Sequence, residues 1–247
     1  MSTFVLKLTA IIAMVIDHVA AVFIPYNSWL YLPCRLIGRI AFPIFAFLLV
    51  EGFYHTRNIR KYLTRLGVFA LISELPFDLA FYNFQFAGHG GSIKADFPNM
   101  FSDSQLYDTV ISRFMKHQNI FFTLFIGLLA IWLISIADKK FSNNMLYLNI
   151  VSAVITIGLS IVAEILNTDY RFMGVLLIVA FYLFRGKKLM MVISLLLLSG
   201  SYIQAFSVLA ILPIAFYNGK KGKSMKYFFY AFYPVHLFIL YVLILIT

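Results

Sequence analysis

Apolar stretches long enough to cross a lipid bilayer recur along the whole chain. The hydrocarbon core is about 30 Å thick, so a crossing helix needs about 20 mostly apolar residues. The 247 residues are 62% hydrophobic and only 12% charged, whereas a soluble domain carries about 25% charged residues. The runs are continuously apolar and lack the alternation of barrel strands. The sequence therefore predicts an all-α, polytopic membrane bundle in a single domain, residues 1–247.

About nine transmembrane helices, within a range of eight to ten, account for these runs. The first run lacks a basic N-terminus and a small-residue cleavage site, so we expect a mature span rather than a signal peptide. The three spans between 171 and 217 are short, and one of them can be bent or re-entrant. The predicted spans are 6–24, 36–54, 62–84, 118–137, 145–165, 171–184, 189–202, 205–217 and 227–246.

The basic residues are concentrated in alternate loops. The loops near 55–61, 138–144, 185–188 and 218–226 carry twelve of them, and the opposite loops carry five. By the positive-inside rule, the N-terminus is predicted to be cytoplasmic and the C-terminus outside. Topology thus accounts for the net charge of +10, which gives no indication of nucleic-acid binding.

Residues 85–117 form the one long predicted loop, on the outer side of the membrane. Apolar residues at helical spacing in its second half predict an amphipathic helix on the outer surface; a role in gating the substrate stays open. His89 and His117 are interpreted as incidental members of this loop. Glycines interrupt its first half at 88, 90 and 91, and the apolar positions of the helix are Leu106, Val110, Ile111 and Phe114.

Several charged or titratable side chains are predicted to lie inside the membrane, where each charge costs about 2.5–3.5 kcal/mol on insertion scales. Asp17 and His18 lie side by side in the outer half of the first span. Other acids, arginines and a second histidine are expected at a similar depth or at the outer interface. These residues are Arg35, Arg39, Glu74, Asp78, Glu164, Asp169 and His236.

Two interpretations of this polar group stay open. The charges can pair with one another to fix helix packing, or they can build a reaction site. An imidazole changes charge near neutral pH, which suits His18 to proton transfer. Neighbouring residues on a helix point about 100° apart, so Asp17 can face an arginine while His18 faces a cavity. No metal is predicted, because the acids and histidines lack metal-site spacing and Cys34 is the only cysteine.

A series of motifs resembles the TraX family, which is named for an F-plasmid pilin acetylase. The resemblance covers most of the chain except the 85–117 loop, and its most specific block is the R-x-x-G-R-x-A-F-P pattern that begins at Arg35. The motifs are LKLTAIIAMVIDH at 6–18, RLIGRIAFPIFAFLLVEGF at 35–53, HTRN at 55–58, KYLTRL at 61–66, SELPFD at 73–78, DY at 169–170, YNGKKG at 217–222 and FYAFYPVHL at 229–237.

The family is similar, more distantly, to a wider group of membrane acyltransferases that modify sugars and peptides outside the cytoplasm. In that group an early basic residue and a histidine late in the first span form the catalytic helix. The matching positions here are Lys7, where the group usually has arginine, and His18. The resemblance implies acetyl-CoA as the donor and a multi-pass location in a bacterial cytoplasmic membrane.

These expectations combine into one mechanism. His18 acts as the general base, Asp17 orients the site, Arg35 or Arg39 polarises the thioester or holds a carboxylate of the acceptor, and His236 assists. Direct transfer and an acetyl-histidine intermediate both stay open. The acceptor is a peptide or pilin N-terminus, an envelope glycan or a lipid. The expected contacts to the donor are Lys7, His55, Arg57, Asn58 and Arg60.

Two other functions are kept as alternatives. A proton-coupled transporter could use a proton relay, although no repeated halves are visible in the sequence. The relay residues would be Asp17, His18, Glu74 and Asp78. A membrane assembly factor without catalytic activity is the second alternative.

Overall fold

A computed structural model describes residues 1–85, 92–114, 116–198, 202–223 and 225–247. Helices are the regular elements of these residues, which confirms the all-α class. The helices are α1 Thr3–Phe23, α2 Tyr31–Gly38, α3 Ala41–His55, α4 Ile59–Gln85, α5 Ile93–Asn99, α6 Ser104–Phe114, α7 Ile120–Phe141, α8 Met145–Ile165, α9 Arg171–Leu183, α10 Lys188–Leu197, α11 Tyr202–Ala205, α12 Ile211–Ala215 and α13 Lys226–Ile246, with a 3-10 turn Phe206–Ala210 between α11 and α12.

Five segments of the described residues are long and apolar enough to cross a membrane. They are Thr3–Phe23, Tyr31–His55, Ile120–Phe141, Met145–Ile165 and Tyr227–Ile246. The chain is therefore a multi-span membrane protein, while the count of nine crossings and the orientation stay predictions. The 27-residue helix α4 is also long enough, but Glu74, Pro76 and Asp78 lower its apolar character. Helices α9 and α10, of 13 and 10 residues, are shorter than the usual crossing length.

The second predicted span, 36–54, is longer than expected and is divided into two helices. It starts at Tyr31, and α2 ends at Gly38 before α3 begins at Ala41. Pro43 lies in the first turn of α3, where the missing backbone N–H costs little. Residues 39–40 interrupt the regular helix, α2 packs against α1, and Arg35 and Arg39 both reach Asp17.

The core is built from helices α1, α3, α4, α7, α9 and α13. Fully buried side chains from these helices include Leu6, Ile44, Leu128, Ile178 and Leu237. Helix α8 packs against α7 and α9, and Leu148, Ser160 and Ala163 are its buried residues. Its remaining surface is therefore left for lipid.

Backbone contacts define two ends of the bundle. At the first, called the basic end, Thr3 N donates to Lys220 O at 2.9 Å and Asn218 N donates to Met1 O at 3.0 Å. Lys188 Nζ donates to Ala215 O at the same end. At the opposite end, Gln118 N donates to Asn167 O at 3.1 Å. Three of the loops predicted to share one side, near 55–61, 185–188 and 218–226, lie together at the basic end.

The loop 85–117 contains two helices in its described part. The apolar side of α6 packs on the ends of α4 and α13, and Val110 is fully buried there. Arg113 donates to the Tyr82 hydroxyl at 2.6 Å, which ties α6 to α4. The predicted helix is therefore present and belongs to the bundle. His89 and the three glycines of this loop lie outside the described residues.

Candidate functional site

Asp17 is clamped by two arginines. Arg35 Nη1 lies 2.8 Å from Asp17 Oδ2, and Arg39 Nη2 lies 2.9 Å from Oδ1 and 3.0 Å from Oδ2. Arg39 also donates from Nε to Arg35 O and from Nη1 to Gln204 Oε1. One carboxylate cannot neutralise two guanidinium groups, so this triad keeps a net charge of +1.

Gly38 allows this clamp to form. A Cβ atom at this position would collide with the side chain of Asp17. The glycine of the R-x-x-G-R pattern therefore lets α2 approach α1 closely enough for both arginines to reach a single carboxylate.

His18 points away from Asp17 and contacts His236 instead. His18 Nδ1 lies 2.9 Å from His236 Nε2, and the two rings are stacked with their centroids 5.1 Å apart. His236 Nδ1 lies 2.9 Å from Phe232 O. Asp17 and His18 thus face different partners, as the 100° step between neighbouring helical residues predicts.

This chain of contacts fixes the tautomers of both histidines. A carbonyl oxygen can only accept, so His236 Nδ1 carries the proton and its Nε2 accepts. His18 then donates from Nδ1, and its Nε2 holds a lone pair. No hydrogen bond joins His18 Nε2 to any described residue. A neutral His18 is therefore arranged as a base.

A cavity of about 150 Å³ adjoins His18 and is called the His18 cavity. Its polar wall includes the arginine clamp and Asp169, and its apolar wall is aromatic. His236 is not among its lining residues. The aromatic lining residues are Phe42, Phe45, Phe77, Phe81, Phe84, Tyr170 and Tyr233.

A larger cavity of about 570 Å³, called the basic cavity, opens near the basic end. Its acidic lining residue, Glu51, accepts from Arg185 Nε at 2.7 Å and from Nη2 at 3.2 Å, so its charge is already engaged. Arg65 Nε is buried without a hydrogen-bond partner in the described part of the chain. The cationic lining residues are Lys7, Arg65, Lys221 and Lys223, together with the titratable His55.

The two cavities meet at four shared lining residues, Met14, Phe45, Ile120 and Tyr233. We call this junction the waist. The basic cavity and the His18 cavity are therefore adjacent, and these four side chains line both of them.

The residues predicted to contact the donor separate into two groups. Lys7 and His55 line the basic cavity, and Lys7 Nζ lies 5.0 Å from the centroid of the Phe229 ring. Arg57 and Arg60 are exposed outside its lining, and Asn58 Oδ1 accepts from Lys61 N at the start of α4.

Sequence reasoning missed Arg65, Lys221 and Lys223 as members of this cavity. Arg65 carried a usable signal, because it is an arginine inside the predicted span 62–84. Lys221 and Lys223 carried no such signal. They belong to a basic loop, and the positive-inside rule already accounts for basic residues there.

The four predicted acids of the polar cluster do not form one group. Asp169 lines the His18 cavity. Glu74 accepts from the backbone N–H of Asn119, the cap of α7, at 3.2 Å. Asp78 is buried elsewhere on α4, and Glu164 pairs with Arg171 at the surface. Of the four, only Asp169 lines the His18 cavity.

His117 has a larger part in the site than the sequence indicated. It lines the His18 cavity, and its Nε2 lies 3.4 Å from Asp169 Oδ1. Its position depends on the pairing of residues 116–118 with 167–168, which no local pattern predicts. No group of three or more potential metal ligands is found among the described residues.

Comparisons with known proteins agree with the motifs. The family model described as TraX protein matches residues 2–90 and 102–244, so the match extends into both ends of the 85–117 loop. A probable fimbrial assembly protein, FimC of serogroup H1 from Dichelobacter nodosus, is 33% identical over 260 aligned positions. The alignment covers 97% of this chain and 94% of the relative. No solved structure matches. The chain belongs to the TraX family.

Proposed function

We propose that the protein is an acetyltransferase of the bacterial cytoplasmic membrane, which moves the acetyl group of cytoplasmic acetyl-CoA to an acceptor outside the cytoplasm. The observation that carries this proposal is the waist. It joins a cationic cavity to a cavity containing a histidine with a free lone pair. A donor with an anionic body and a reactive tip matches that arrangement.

The basic cavity fits the body of the donor. The phosphates of acetyl-CoA form charge-assisted hydrogen bonds with guanidinium and ammonium groups. Lys221 and Lys223 lie exposed at the rim, while Arg65 lies deeper, in the second turn of α4. Because Glu51 is engaged by Arg185, it does not cancel the charge of Arg65. The apolar remainder of the cavity suits the uncharged arm of the donor.

The reaction then takes place at the waist. An acceptor amine or hydroxyl enters the His18 cavity, and His18 Nε2 removes its proton as the acceptor attacks the thioester carbonyl. The C–S bond breaks, and the thiolate of CoA leaves and takes the proton back from His18. His236 stabilises the protonated state, because its Nε2 accepts from His18 Nδ1. Direct transfer is favoured over an acetyl-histidine intermediate, because one histidine suffices as base and acid.

The acceptor is proposed to be a pilin. The FimC relative is described as a probable fimbrial assembly protein, and an acetyl group added to a subunit before assembly would connect that description to the chemistry. The His18 cavity of about 150 Å³ admits a chain terminus or a single hydroxyl group, but not a folded surface.

Reconstitution tests this function directly. The purified protein in lipid nanodiscs is mixed with radiolabelled acetyl-CoA and a pilin N-terminal peptide, and label in the peptide is counted. A His18→Ala variant serves as the matched control. Label transferred by the wild type and not by the variant supports the proposal. Binding of pilin without binding of acetyl-CoA would instead support a non-enzymatic assembly factor.

A further inference from the structure

Tyr233 occupies the waist from the α13 side. Its side chain lines both cavities, and the residue is 5% exposed. Its ring centroid lies 6.3 Å from that of His18 and 5.4 Å from that of His236. The side chains of the other three waist residues, Met14, Phe45 and Ile120, carry no hydroxyl or N–H group. Among these four side chains, Tyr233 therefore supplies the only strong hydrogen-bond donor.

Tyr233 shares the waist with Ile120, which is the first residue of α7. The first N–H groups of a helix have no acceptor within it, and this end of the helix carries the positive end of the dipole. The waist therefore combines the phenol of Tyr233 with a helix end that favours negative charge.

We propose that Tyr233 is a catalytic residue, which donates a hydrogen bond to the carbonyl oxygen of the donor thioester as negative charge develops on it. This inference rests on the proposed function. When the acceptor attacks, the carbonyl electron pair moves onto that oxygen, and Tyr233 holds the oxyanion without giving up its proton. Collapse of the oxyanion re-forms the C=O bond and expels the thiolate, while His18 carries the proton of the acceptor.

Tyr230 provides a matched control for this role. It lies on α13 one turn before Tyr233 and lines the basic cavity but not the His18 cavity. Tyr230 is not one of the four waist residues. Phenylalanine at either position keeps the ring and removes only the oxygen, so packing is nearly preserved in both variants.

Two measurements on the full-length protein in nanodiscs test the inference. Removal of one oxyanion donor typically lowers kcat by about 10²–10³-fold. We expect Tyr233→Phe to lose at least about 10²-fold in kcat and to change the Kd of acetyl-CoA by less than about twofold. The loss for Tyr230→Phe should be far smaller. Equal kcat losses in the two variants would overturn the role of Tyr233.

Infrared spectroscopy separates a hydrogen bond from a change in packing, because packing alone does not shift the C=O stretching frequency. With acetyl-CoA labelled with ¹³C at the carbonyl, hydrogen bonding by Tyr233 lowers the C=O stretching frequency of the bound thioester. The shift should be present in the wild type and in Tyr230→Phe and absent in Tyr233→Phe. A wild type that binds and transfers acetyl groups without this shift overturns the inference and leaves the proposed function intact. A wild type that binds no acetyl-CoA overturns both.

Discussion

His18 and His236 are separated by 218 positions in the chain, yet their ring nitrogens lie 2.9 Å apart. The second histidine is anchored on the carbonyl oxygen of Phe232, one helical turn earlier. The other ring nitrogen of His236, Nε2, therefore accepts a hydrogen bond from His18 Nδ1. The contact between the first and last helices therefore decides which nitrogen of His18 is basic.

The hydrogen bond between His18 and His236 predicts that the losses in kcat caused by changing each histidine are not additive. His18→Ala should lower kcat by about 10²–10⁴-fold, which is the usual contribution of a positioned base, while donor binding persists. His236→Gln should lose less, because it removes only the group that orients His18. The double variant should be no slower than His18→Ala alone. Single-turnover rates of the three variants measure this. If the loss in the double variant equals the product of the two single losses, His18 and His236 do not act as one unit.

Donor affinity should depend on the cations that line the basic cavity. Arg65→Ala should weaken acetyl-CoA binding about 10-fold or more, because hydrogen bonds to charged groups contribute about 1.5–3 kcal/mol. Lys221→Ala combined with Lys223→Ala should reduce the salt dependence of binding. Isothermal titration at two ionic strengths measures both effects.

Arg57→Ala combined with Arg60→Ala removes two cations outside that cavity and provides the control. The same experiment tests the sequence-based expectation that these residues hold the donor. If this double variant loses as much affinity for acetyl-CoA as Arg65→Ala does, the phosphates bind at the surface of the basic end and not in the basic cavity.

The arginine clamp should be strongly stabilising as a unit. Asp17→Ala leaves two partly buried guanidinium groups without a carboxylate; for a fully buried pair the loss of one partner costs about 3–5 kcal/mol, and we expect a loss towards the lower end of that range. Glu164→Ala provides the contrast, because its pair with Arg171 is exposed and exposed pairs contribute at most about 1 kcal/mol. Thermal unfolding in detergent compares the two variants. Similar melting temperatures would show that the clamp is not needed for folding.

The orientation can be tested with single cysteines after Cys34 is replaced by serine. A cysteine at Lys221 should react with an impermeant maleimide only from the cytoplasm, because the basic end is predicted to be inside. A cysteine at the exposed Asp108 on α6 should react only from the outside. Labelling of both positions from the same side would invert or collapse the predicted topology.

The sequence predicts those features that depend on local composition. Continuous apolar runs predicted the membrane helices, and the 100° step between neighbours predicted that Asp17 and His18 face different partners. Among the described residues, five segments meet the criteria of length and apolarity, and the count of nine crossings stays a prediction because the helices between 171 and 215 are short. The break near Arg39 was missed because the apolar pattern continues through it.

Contacts between residues far apart in the sequence could not be predicted from it. The pairing of His18 with His236, and of His117 with Asp169, requires contacts between helices that no periodicity encodes. Glu74 and Asp78 share a helix and were grouped for that reason. Glu74 instead accepts a hydrogen bond from Asn119 N at the start of α7. Neither Glu74 nor Asp78 lines the His18 cavity.

The position of the two histidines at opposite ends of the chain has a consequence for biogenesis. A ribosome makes α1 first and α13 last, so a nascent chain already in the bilayer contains the base long before the partner that orients it. Tyr233, on the same final helix, arrives equally late. A half-made protein therefore lacks the wall that α13 contributes to both cavities. The waist is complete only when α13 packs against α1.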